Sequence, residues 1–497
     1  MSGASICQTT GSSTDPGQVK GLHKAAPELI RVVEEKTKRS ATWPVLTAWL
    51  EAFFVHHRER FFWLHAVMLI GFLTLTLLPL FLPESTEQST ALNDFSRFAN
   101  FAMWGLWFPL VFLSVIFTGR SWCGLLCPMG AATEWANKKG LQRPIPAWVR
   151  WEGTPIISFL IITILGQTVG VRDHPEAMAE VFGGTLLAAI LLGFVYGRKK
   201  RAWCRHMCPI GLLLGVFSRI GMVQFVPKRP QPGGDCFTEK TICPTMIDLP
   251  RKQESRHCIE CFRCVHPKAR SGLFLRLRRP GEEIARIRTH NPNPYEVLFL
   301  FMGTGIAIGG FLWLVLPQYN LFRQRVGEWF INQGWYWIGD TGPWWLMSVH
   351  PERREVFNWL DFFTIVGFML GCMLMITVIL SITTVLAGWL SGRMGGERNL
   401  QERFIELGYQ YTPVAMVSLV IGLGATLFEP LAAIHPNLPG LVKLTLFSTS
   451  IGWSLLLSWR ILQEQGVIVK RRWLPLLPGL AGSLAVGAAW WPGIFSL

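Results

Sequence analysis

The sequence predicts an all-α polytopic membrane protein, with about nine transmembrane helices and one small cytoplasmic insert rich in cysteine. Three observations carry this. Only 16% of residues are charged while 50% are hydrophobic, against roughly 25% charge in a soluble domain. The apolar residues gather into runs of about 18 to 25, each long enough to cross a hydrocarbon core of roughly 30 Å. The excess of 47 Lys and Arg over 32 Asp and Glu, a net charge of +15, lies between these runs and on one side, as positive-inside topology requires. No basic stretch carries the interleaved aromatics of a base-stacking surface, so nucleic acid is not an expected partner.

Residues 1–58 read as a cytoplasmic N-terminal arm, partly disordered, with a basic stretch from Lys20 to Arg39. The first long apolar run begins near Phe61 without a small-residue cleavage site, so no cleavable signal is expected. Residues 59–225 read as a transmembrane four-helix unit with spans at 61–83, 99–118, 154–172 and 178–196. The apolar stretch from Ile210 to Val226 is short and broken by Arg219, which suits an interfacial element. Residues 226–292 form a cytoplasmic segment. Residues 293–497 supply about five further helices, at 295–317, 360–390, 409–433, 441–463 and 474–496.

The basic loops place the N-terminus in the cytoplasm and the C-terminus in the periplasm. The opposite loops are short, apart from Gln318 to Asn358, where Trp329, Trp335, Trp337, Trp344 and Trp345 mark a membrane boundary and His350 reads as a solvated histidine. Glu429 is the acidic residue to test near the outer end of its span. Within the spans only His65 is well placed, so the histidine pair of a haem site is not expected.

Nine of the 11 cysteines lie between Cys123 and Cys264, on the reducing side, where clustered thiols act as metal ligands or redox groups rather than disulfides. Cys372 inside a span reads as a small buried hydrophobe. The strongest internal signal is a repeat. Arg120-Ser121-Trp122-Cys123 with Cys127-Pro128-Met129-Gly130 matches Arg201-Ala202-Trp203-Cys204 with Cys208-Pro209-Ile210-Gly211, 81 positions on. Each copy follows a hairpin of spans, so a local pseudo-two-fold brings Cys123, Cys127, Cys204 and Cys208 together. Four thiolates suit an iron–sulfur cluster or zinc, and each C-x3-C alone suits copper or a dithiol. The proline after each second cysteine is expected to stop the helix, and Arg120, Lys200 and Arg201 to offset thiolate charge.

The second signal is Cys258, Cys261 and Cys264 in a C-x2-C-x2-C run, preceded by Cys243-Pro244. Together these four are a complete ligand set for one 4Fe-4S cluster of the bacterial ferredoxin kind, with zinc the lesser alternative. A partner cluster lacks ligands, since only Cys236 precedes Cys243 and position 268 is Lys. One cluster is therefore expected in this ferredoxin-like segment, where Arg251, Lys252, Arg256 and Arg263 should raise its potential and attract an acidic donor.

With these motifs the chain resembles the membrane polyferredoxins of the NapH, NosR and CcoG type over roughly residues 60 to 270. The resemblance implies a bacterial inner-membrane protein that relays electrons between quinol or a cytoplasmic donor and a respiratory or periplasmic redox partner. It differs from that pattern in carrying one complete ferredoxin motif instead of two, an N-terminal arm too short for the flavin domain of the NosR branch, and extra spans in place of the outer domain of the CcoG branch. About 30 Å of hydrocarbon separates the cysteines from the far face, so quinone is the expected additional carrier, with lipid and a redox protein as partners. The corresponding activity is that of a quinol dehydrogenase or metal-reductase component. The alternative is copper or other metal handling for metalloenzyme assembly, with the C-x3-C-P pairs as the soft-metal site.

Overall fold

The computed structural model describes residues 44–83, 89–198, 200–228, 242–266, 272–353 and 355–495. The arm before Pro44, Cys7, Cys236 and Lys268 lie outside the described residues. Eight helices among the described residues are long and apolar enough to cross a membrane, so the chain is a multi-pass helical membrane protein.

In the first unit, α1 (Pro44–His56) leads into α2 (Phe61–Leu77). The second span joins α3 (Phe95–Asn100), a π-helical stretch (Phe101–Trp107) and α4 (Phe108–Thr118). Pro109 has no N–H for the carbonyl one turn back, which gives the helix a local reason to widen there. After α5 (Pro128–Lys139) comes α6 (Thr154–Thr168), at the position of the expected third span. It has 15 residues, roughly 22 Å at 1.5 Å each, and the turn after it passes through Gly170 at φ +69°. α7 (Pro175–Val195) completes the unit.

The segment expected at the interface is instead a buried half-helix, α8 (Pro209–Ser218), whose Leu213, Leu214, Val216 and Phe217 are sealed in the interior. The interrupting Arg219 needs no headgroup. It is fully buried and paired with Glu283 at 3.0 Å and Glu296 at 2.7 Å. The chain then leaves through β1 (Val223–Pro227) and returns antiparallel through β2 (Leu273–Leu277), with Val223 opposite Leu277 and Pro227 opposite Leu273. This ribbon brackets the segment that carries Cys243, Cys258, Cys261 and Cys264.

The second unit starts with α9 (Pro294–Val315) and α10 (Pro317–Asn332), a helix in the tryptophan-rich region, where Trp329 and Trp335 are exposed. A short hairpin of β3 (Val349–His350) and β4 (Glu355–Val356) precedes α11 (Trp359–Arg393), which opens on a capping box between Asn358 and Asp361. Gly305 and Gly309 of α9 let α11 approach closely. A methyl at Gly305 would lie 2.7 Å from Met373 Cα and one at Gly309 2.9 Å from Met369 Cα, the small-residue packing that membrane helices use. Cys372 is buried in this contact. The chain continues through α12 (Leu400–Gly408), α13 (Thr412–Leu423), α14 (Ala425–Ala432), α15 (Leu438–Glu464) and α16 (Trp473–Phe495). One continuous core, with Phe112, Phe217, Phe299 and Val420 among its members, joins the two units.

Candidate iron-sulfur site

Cys243, Cys258, Cys261 and Cys264 all line one void of about 20 Å³, closed by Pro244, Ile247, Leu249 and Leu273. The loop wraps this void by alternating handedness, since Glu260 and Phe262, on either side of Cys261, sit at φ +52° and +56°. Such turns aim successive backbone N–H groups into a concavity that favours an anionic group. Cys243 Sγ lies 3.4 Å from Thr245 Oγ1 and accepts from Ile247 N–H at 3.5 Å, contacts that raise the potential of a sulfur-ligated centre. Burial pushes the Cys258 thiol up to about 12, with Lys252 opposing and Glu260 adding to the rise. These thiols ionise when a metal takes their protons.

The repeated motifs meet as their symmetry predicts. A methyl at Gly130 of the first copy would lie 3.6 Å from Cys204 Sγ of the second. Burial pushes Cys204 well above the usual thiol range; Arg201 opposes this, and Cys127, Cys208 and Cys123 beside it add to it. Cys208 is likewise pushed up to about 12 by burial and by Cys127 and Cys123. Among the described residues, no three His, Cys, Asp or Glu side chains close around a single ion. A zinc–thiolate bond of about 2.3 Å demands such closure, whereas a cubane carries its thiolates on outward corners, further apart. By its chemistry an all-cysteine donor set of four suits an iron–sulfur cluster.

The motif prolines begin helices instead of ending them. Pro128 and Pro209 occupy the first turns of α5 and α8, where a missing N–H costs nothing, and Cys127 and Cys208 are the N-caps. Cys127 Sγ accepts from Gly130 N–H at 3.4 Å, so the positive end of a helix faces the Cys127 sulfur.

Arg201 is the centre of the electrostatics. It is fully buried, pairs through Nε with Glu134 at 2.7 Å and donates to Cys123 O at 2.9 Å. Glu134 also takes Arg263 of the ferredoxin-like segment at 2.7 Å. Burial would raise its carboxyl, yet Arg201 and Arg263 hold it down at about 2. Arg201 N–H donates to Pro244 O and Lys200 Nζ to Cys243 O, both at 2.8 Å, so the second repeat grips the other cysteine set directly. Arg120 Nη2 lies 4.0 Å from Cys123 Sγ.

Of the four cations expected to raise the cluster's potential and attract an acidic donor, only Arg251 is largely exposed. Lys252 is buried on Phe225 O, Arg256 on Glu296, and Arg263 is drawn to Glu134. Their carboxylate and carbonyl partners come from distant parts of the chain, which a local charge count cannot register. His350 is not isolated either: its ring stacks on His174 with centroids 3.6 Å apart. His65 Nε2 lies 3.2 Å from Gly124 O, inside the first motif. Sequence reasoning missed Glu134, although it is the only acidic residue between positions 95 and 151.

Between the two units lies a largely apolar cavity of about 200 Å³. Cys123, Cys127 and Cys208 line it, as do Trp104, Trp107, Phe182 and Gln167, and Arg172 closes the end near the opposite face.

Comparison with known proteins points the same way, to ferredoxin-type proteins that this chain is similar to over part of its length. The 4Fe-4S binding domain matches residues 100–146 and 181–229, one match over each repeated motif. The chain is 27% identical over 166 residues to the ferredoxin-type protein NapH of Escherichia coli, covering 29% of this chain and 58% of that one. It is 28% identical over 152 residues to the methylamine utilization ferredoxin-type protein MauN of Methylorubrum extorquens, covering 27% and 50%. It is 27% identical over 176 residues to protein NirI of Paracoccus denitrificans, covering 31% and 26%. These alignments span between about a quarter and three-fifths of the relatives' own length. The NapH and NosR resemblance read from the cysteine motifs holds over this stretch. No solved structure matches.

Proposed function

We propose that the chain is an iron–sulfur electron-transfer protein of a bacterial inner membrane, with its cysteine-bearing face in the cytoplasm. One cluster is held by Cys243, Cys258, Cys261 and Cys264, and a second by Cys123, Cys127, Cys204 and Cys208. A bound cluster supplies reversible one-electron exchange. The chain's residues supply the rest: Arg201, Lys200 and Arg120 offset thiolate charge, Glu134 ties the two cysteine sets together, and burial excludes water. The observation that carries this reading is the convergence of four cysteines on one void, with a second set of four beside it.

The apolar cavity ending at Cys123, Cys127 and Cys208 suits a quinone, whose ring the aromatic walls would hold and whose electrons have a short path to the thiols. The relay then runs between the quinone pool or a cytoplasmic donor and a respiratory or periplasmic partner. Copper handling would instead use Cys123 with Cys127, or Cys204 with Cys208, as a two-thiolate soft-metal site. Anaerobic purification, iron and sulfide counting and EPR with and without menaquinol test the proposal. About eight iron and eight sulfide per chain are expected, in two four-iron sites; absence of both elements would end it.

A further inference from the structure

Two cavities meet end to end at Arg172. The inner one, about 200 Å³, runs from the motif cysteines to Val171 and Arg172. The outer one, about 640 Å³, shares those two residues and continues past Asp173, His174, Arg353 and Glu429. Arg172 fills the junction. It donates to Gly422 O at 2.5 Å, at the end of α13 where that helix breaks before α14, and its guanidinium lies 5.3 Å from the Trp104 ring. Three buried polar atoms around this junction have no hydrogen-bond partner among the described residues: Arg172 Nε, Trp104 Nε1 and Thr426 Oγ1. Trp104 lines the inner cavity and Thr426 the outer. Unpaired donors at the dry end of an apolar cavity call for an oxygen-bearing ligand.

We propose that this junction binds the quinone carbonyl remote from the cysteines and exchanges the quinone's protons with the face opposite them, so that turnover separates charge across the membrane. This rests on the quinone reading above. On quinol oxidation two O–H bonds break. Two electrons leave toward the cysteine face, with iron–sulfur centres as the oxidant, and two protons leave past Arg172. A guanidinium does not give up its proton, so Arg172 orients the ligand, and its fixed charge keeps protons from crossing the empty cavity. Asp173 is the first acceptor on the outer side. His174 follows, 3.1 Å from Glu355 and stacked on His350, whose Nδ1 lies 3.2 Å from the half-exposed Glu352. Titratable groups therefore continue from the junction to solvent, while the walls toward the cysteines are apolar.

The test uses the full protein in liposomes containing menaquinone-4, with a pH dye in the lumen and dithionite, which does not cross the bilayer, added outside. Only molecules with the cysteine face outward turn over. Lumenal alkalinisation of about one proton per electron, absent from protein-free vesicles, is the expected result. Protein-dependent menaquinol formation with unchanged lumenal pH would overturn this inference and leave the quinone reading standing. No protein-dependent menaquinol, with no quenching of tryptophan fluorescence by menaquinone-4, would end both. Arg172→Gln should weaken quenching about tenfold. Asp173→Asn, which leaves the junction intact, should slow lumenal proton uptake about tenfold or more with quenching unchanged; uptake at the native rate counts against the proposal.

Discussion

Gly124, inside the first repeated motif, lies against the backbone of Cys261 in the ferredoxin-like loop. A methyl at Gly124 would sit 2.9 Å from Cys261 N and 3.0 Å from its Cα, so no other residue lets the two cysteine sets approach this closely. Gly124→Ala should force the loop outward at about 1–3 kcal/mol. Faster proteolysis of residues 242–266 and a weaker magnetic interaction between the reduced centres in EPR are the expected outcomes; an unaltered spectrum would show that this contact does not set their spacing.

Cys208→Ser and Cys264→Ser separate the two sites. Each should lower iron from about eight to about four per chain and remove a different EPR signal. If Cys208→Ser kept all the iron, the repeated motifs would not be cluster ligands, and copper titration of that variant would become the informative measurement.

Glu134 is held at about 2 against an ordinary 4.5, and Glu283 also at about 2 by Arg278 and Arg219 against its burial. Their folded pKa values are depressed, so the stability they confer is full above about pH 4.5 and is lost as pH falls toward 2. Thermal melts followed at the cluster absorbance should therefore be flat from pH 7 to 5 and drop below. Glu134→Ala, which leaves Arg201 buried and short of a counter-charge, should cost about 3–5 kcal/mol at neutral pH and flatten part of the acid limb.

Arg219 joins α8 to Glu283 and Glu296 and has no exposed surface. Arg219→Met takes one of two arginine partners from each of two buried carboxylates, leaving Glu283 with Arg278 and Glu296 with Arg256, and a loss of about 2–4 kcal/mol is expected. Replacing Glu283 and Glu296 with Gln in the same chain should recover part of it. A double-mutant cycle read from urea melts in detergent checks this, and strict additivity would mean that the residues do not act as a unit.

The spans, the repeat and both cysteine sets were legible because each is written in local pattern: apolar runs, one motif copied at a fixed offset, and ferredoxin spacing around Cys258, Cys261 and Cys264. What stayed hidden depends on partners far along the chain. Nothing next to Arg219 announces Glu283 or Glu296, so a buried half-helix read as interfacial. The same holds for Arg256 and Arg263, whose carboxylates lie 40 and 129 positions away. Pro128 and Pro209 misled for another reason: a proline marks a helix boundary without saying on which side the helix lies.

The Arg219 cluster also sets an order of biogenesis. Glu296 opens the first helix of the second unit, whereas the repeats and the ferredoxin-like segment are complete before it is made. Until that helix is inserted, Arg219 and Arg256 lack the carboxylate they share, although Glu134 and Lys200 already hold the cysteine loop to the first unit. A chain interrupted during synthesis carries all eight cysteines but leaves Arg219 and Arg256 without Glu296, so this buried charge cluster is completed only when the second unit is made.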